Sequence, residues 1–146
     1  MIAVSPAGLI TFISDAFGGR ASDKACFEAS QVVKKLDCFK DDIMVDKGFN
    51  VDNVCSSHGL GVVQPAFLRR QNQFSAADAA NTIKIAKARV HMERVIQRMK
   101  VFKILKAPIP WEMLNVIDDI LIVIAGIVNL SAPILSETRF PRSTKP

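Results

Sequence analysis

A chain of 146 residues has room for one domain with a real core, and 49% hydrophobic against 23% charged residues excludes wholesale disorder. The net charge of +5 is unevenly carried: residues 69–106 hold 10 Lys/Arg against 2 Asp/Glu, whereas 1–68 hold 6 against 8 and 107–146 hold 3 against 4. Three cysteines without a CxxC pair argue for reduced thiols rather than a disulfide framework, and the absence of a basic segment before the first apolar run argues against a signal peptide.

In chain order, Ile2 to Val4 and Leu9 to Ile13 are short β-type runs separated by Ser5-Pro6-Ala7-Gly8, which predicts an antiparallel hairpin. Ser22 is placed to cap a helix through Leu36, with Ala25, Cys26, Ala29, Val32, Val33 and Leu36 on one face. Ile43-Met44-Val45 reads as a strand buried on both faces, ending in Asp46-Lys47-Gly48. A short helix over Val51 to His58 stops at Gly59, and Leu60 to Val63 forms a further strand. Cys55 and His58 have the spacing of half a zinc site, but no second half is present in the sequence. Ser75-x-x-Asp78 has the form of a capping box for a long helix running toward Leu105, which Pro108 and Pro110 forbid from continuing. A last, nearly apolar helix from Trp111 to Leu130 is expected to pack on the sheet. Its most apolar window, Ile120 to Leu130, is shorter than a membrane span requires. The order predicts a mixed α/β sheet covered by helices.

Two carboxylates occupy unusual places. Asp46 follows the end of a strand, where α/β sheets collect ligands and reacting groups, although an Asp before Gly48 is also ordinary turn chemistry. On the long helix, Ala79, Ile83, Ala86, Val90 and Ile96 read as one apolar stripe with Glu93 inside it. A carboxylate buried there needs a partner: an arginine such as Arg89 or Arg98, or a metal ion shared with another acid. A strand-end Asp and an inward Glu match a site for hard divalent cations, two of which would stabilise the attacking and leaving oxygens of a phosphodiester displacement. The surrounding basic segment, with Lys47, Arg89, His91, Arg94, Arg98 and Lys100, is suited to a phosphate backbone; its bland reading is a solvated helix face.

Several separated motifs then become recognisable in order. They are Ser5 to Lys24, Met44-Val-Asp-Lys-Gly-Phe49, Pro65-Ala-Phe-Leu-Arg-Arg70, Ala88-Arg-Val-His-Met-Glu-Arg94, Val101 to Leu105 and Asn129-Leu-Ser-Ala-Pro-Ile-Leu135. Over residues 2–135 the chain resembles the DDE superfamily endonucleases related to Harbinger-type transposases, in the group often joined to THAP zinc fingers. The resemblance implies an RNase H-like mixed sheet flanked by helices, with a domain over 1–136 and a polar tail over 137–146. It also implies metal-dependent cutting of DNA with Mg2+ or Mn2+, in the nucleus and without a membrane, by an oligomer or with a separate DNA-recognition partner. Asp46 and Glu93 correspond to the family's second and third acids and thus to catalytic metal ligands. The first acid normally lies on a strand tens of residues before the Ser-Pro-Ala-Gly turn, and that strand is not in this sequence. An incomplete nuclease domain is therefore the expected reading. A non-catalytic DNA-binding remnant, or domesticated transposase fragment, is the alternative.

Overall fold

The structure is a computed structural model that describes residues 1–46, 48–65 and 76–132. It is a mixed α/β architecture in which the described strands form two separate two-stranded sheets rather than one. The chain divides into two compact units: Met1 with Ser14–Arg89, and Ile2–Ile13 with the chain from Val90 onward.

In the second unit, strands β1 (Ile2–Val4) and β2 (Ile10–Ile13) form the expected antiparallel hairpin. Pro6 presets the turn, the Gly8 N–H donates to the Ser5 carbonyl at 2.9 Å, and Gly8 takes the positive φ of 86° that returns the chain. A register shift between Ala3 and Val4 bends the ribbon. Its inner face joins Val95, Met99, Ile124, Ala125 and Val128 around Ile10. Helix α4 (Ile117–Leu130) supplies half of this core, preceded by a 3-10 segment over Trp111–Val116. At its end, the Asn129 side chain takes both backbone groups of Ile10: Oδ1 accepts from the N–H and Nδ2 donates to the carbonyl, each at 2.9 Å. This helix packs on the hairpin as expected, but on one face only. Ile122, Val123, Ile127 and Leu130 are exposed, and the 20-residue helical segment Trp111–Leu130 is long and apolar enough, by length and composition alone, to cross a membrane.

In the first unit, Ser22 caps helix α1 (Asp23–Ser30), its Oγ accepting from the Ala25 N–H at 3.2 Å. The helix does not run to Leu36 as predicted. The Ser30 hydroxyl bonds back to the Phe27 carbonyl, Gln31 turns left-handed at φ 54°, and Val32–Lys35 continue as a 3-10 turn. Phe27, Val32 and Val33 are buried, while Ala25 and Ala29 are exposed.

Strands β3 (Asp42–Met44) and β4 (Gly61–Val63) are parallel, joined through helix α2 (Asp52–Ser57) in a compact strand–helix–strand unit. The helix ends where Gly59 adopts φ 66°, which lets the Leu60 N–H reach back to the Cys55 carbonyl at 2.9 Å. The Phe39 ring lies so close that a Cβ on Gly59 would stand 2.8 Å from its Cζ. Val51, Cys55 and Leu60 fill the space beneath this turn. Burial of β3 on both faces is not observed. Asp42 and Met44, which share one face of the strand, are exposed, while Ile43 on the other face is half-buried.

Burial, followed by the charge of Asp52, pushes the Cys55 thiol above its ordinary value of 9.0. A thiol raised in the folded state contributes stability that is full below that ordinary value and is lost as pH rises through the raised one. Cys38 is exposed and Cys26 is half-buried. A disulfide exchange reagent at mildly alkaline pH should therefore modify Cys38 first, then Cys26, and Cys55 only on unfolding. Equal rates at Cys38 and Cys55 would contradict the packing of α2.

Candidate functional site

Asp46 is held from several sides within the first unit. The Val45 N–H donates to the Val63 carbonyl at 3.1 Å, one residue past the end of β3, which carries the pairing toward Asp46. The Asp46 carbonyl then accepts from the Phe49 N–H at 2.9 Å, closing a turn. Phe49 is anchored by its ring, which meets buried Phe27 edge-on at 6.1 Å, and by its carbonyl, which accepts from Gln64 Nε2 at 2.7 Å. The turn thus fixes the backbone while the carboxylate points outward.

That carboxylate meets Arg89 of helix α3 (Ala76–Met99) in a two-pronged pair. Nη1 stands 3.0 Å from Oδ1, and Nη2 donates to Oδ2 at 3.1 Å. Nothing in the sequence singled out this pairing, since 43 residues separate the partners. Arg89 was expected either beside Glu93 or on DNA.

The stripe assigned to α3 is corrected. Ile85, Val95 and Met99 are buried, with Ala88 and Met92 half-buried between them, whereas Ile83, Ala86, Val90 and Glu93 are exposed. At about 100° per residue, the alternating three- and four-residue spacing from Ile85 to Met99 keeps one face. The six-residue step from Val90 to Ile96 does not. Glu93 is therefore a solvent-facing carboxylate four residues after Arg89, and its burial no longer argues for a partner. The capping box at Ser75 and Asp78, and the side chain of Lys47, lie outside the described residues.

The charged side chains of α3 and of the turn that follows it separate by flank. Arg89, Glu93 and Lys100 follow one flank by helical spacing. Arg94, Gln97, Arg98 and Val101 line an open groove on another, where Arg98 also donates to the Ala132 carbonyl. His91 is half-buried, and its Nδ1 takes no hydrogen bond among the described residues, which removes it from an outward phosphate-facing set. Cys55 and His58 form no half zinc site: Cys55 is buried, and His58 Nδ1 lies 2.9 Å from the Val54 carbonyl.

Among the described residues, no three His, Cys, Asp or Glu side chains stand together as a metal-holding group. With both Asp46 oxygens engaged by a guanidinium, the described residues do not by themselves fit a divalent-metal site.

A family model described as DDE superfamily endonuclease matches residues 1–129 of the chain. No curated protein and no solved structure matches it.

Proposed function

For a chain that belongs to the DDE superfamily of endonucleases, as this one does, we propose a DNA-binding nuclease domain whose carboxylates Asp46 and Glu93 are two members of an incomplete cutting site. The observation that carries this reading is the outward Asp46 carboxylate, set just past a parallel strand and held against a strongly basic helix. Phosphodiester DNA is the substrate that both the family and the positive segment fit. Endonucleases of this superfamily are generally divalent-metal-dependent. Because no described group brings three ligands together, the cation and the two-metal displacement it would serve require a further carboxylate from outside the described residues. The residues of this chain would bind and orient the phosphate backbone. The affinity should be salt-sensitive and largely indifferent to sequence.

Nicking of supercoiled DNA tests the proposal, measured with Mn2+ for the chain alone and for the chain joined to a segment supplying a strand with an Asp. The chain alone should bind without nicking, the joined protein should nick, and Asp46→Ala should abolish that nicking. Nicking by the 146-residue chain alone would overturn the incompleteness. Silence of both proteins would overturn the cutting site and leave DNA binding as the function.

A further inference from the structure

We infer that the outward face of helix α4 is an interface on which a second copy of this chain docks, antiparallel and twofold-symmetric about Gly126. The inference is independent of the nuclease reading. Ile117, Ile124, Ala125 and Val128 turn into the chain, whereas Ile122, Val123, Gly126, Ile127 and Leu130 are exposed, with no polar residue among them. Val123, Gly126 and Leu130 follow the three- and four-residue spacing of a helix-pairing seam. The exposed side chains present about 500 Å2, near the top of the range for one apolar patch on a monomer.

Gly126 decides what fits there. A glycine inside a helix destabilises it relative to alanine, and the chain's own packing does not ask for one. A Cβ built on Gly126 meets nothing within 4 Å beyond its own helical turn. The missing side chain leaves a gap at the centre of the stripe, where a second helix can approach backbone to backbone. Ile122 and Leu130 stand at equal distances along the sequence on either side of Gly126, so a twofold axis through it sets each against the other. Asp119, exposed one helical turn before Val123, then lies beside the carboxyl end of the partner helix. At that end Arg98 reaches the Ala132 carbonyl and supplies the opposite charge. Two such faces bury about 1,000 Å2 in total, the size at which specific interfaces begin, which fits a reversible dimer. A lipid surface fits less well. The inner face of α4 is closed by the hairpin core, Asn129 is clamped to Ile10, and an acid rather than a lysine or arginine flanks the stripe.

Sedimentation velocity of the full chain from about 1 to about 100 µM tests this, alongside thermal melting and flotation with anionic phosphatidylserine vesicles. Wild type should pass from monomer to dimer with a Kd on the order of 10 µM. Gly126→Gln and Leu130→Glu should each weaken the dimer about tenfold or more. Both positions are open in the single chain, so folding should persist. Gly126→Gln should melt no lower than wild type, because it removes a glycine from a helix interior. Asp119→Arg should weaken the dimer, and adding Arg98→Glu should restore it. A wild type that stays monomeric to about 100 µM, or a dimer indifferent to Gly126→Gln, would overturn the interface. A monomer that floats with the vesicles would overturn it in favour of a lipid surface.

Discussion

Asn129→Leu is expected to destabilise the chain by about 2–4 kcal/mol, a fall in Tm on the order of 10 °C. The substitution keeps the volume and the apolar character of α4. It removes the only described partners of two backbone groups at Ile10, a residue that is 8% exposed. An unpaired N–H and an unpaired carbonyl at a part-buried position each cost about 1–3 kcal/mol. In effect the Asn129 amide stands where a neighbouring strand would, bonding both groups of β2 from the end of a helix 119 residues away. Asn129→Asp keeps an acceptor for the N–H but sets a charged oxygen against the carbonyl, so it should recover only part of the loss. Hydrogen exchange supplies the local readout, because the Ile10 amide should lose protection selectively. A Tm within about 2 °C of wild type together with unchanged Ile10 protection would show that water replaces the clamp without cost.

The second large effect is on DNA affinity. Arg94 and Arg98 are four residues apart on α3 and line the same open groove, with Gln97 and Val101 between and beside them. Two phosphate contacts contribute about 1.8 to the slope of log affinity against log salt. Replacing both arginines with alanine should reduce the slope by about that amount and weaken binding by about one to two orders of magnitude at moderate salt, evenly across sequences. Loss of the Arg98 bond to the Ala132 carbonyl leaves a solvent-facing acceptor that water can satisfy. An unchanged salt slope would assign these arginines to a solvated face.

The parts of this fold that rest on local chemistry were legible in the sequence. The Ser-Pro-Ala-Gly turn, the Ser22 cap and the stop at Gly59 each follow from what a few adjacent residues can do. In α3 the stripe through Val90 and Ile96 contains a six-residue step that no helical face repeats, whereas Ile85, Ala88, Met92, Val95 and Met99 carry the helical spacing in the same segment. Asp46 was found from its place after a strand, but its fork with Arg89 was not, because a contact across 43 residues leaves no periodic trace. Asn129 carries a signal of its own in the sequence. A lone amide ending an apolar helix must find partners when its surroundings are buried.

Gly59 separates two kinds of selection. Any other residue there must hold φ at 66° and push aside the Phe39 ring, at a cost of about 1 kcal/mol or more, whether or not the chain cuts DNA. Asp46 is exposed and can be exchanged with folding nearly intact. In a lineage that keeps the protein for binding alone, purifying selection therefore persists at codon 59 and relaxes at codon 46. If Asp46 serves the proposed cutting site, alleles that vary at 46 while remaining fixed at 59 mark descendants that abandoned the chemistry and retained the scaffold.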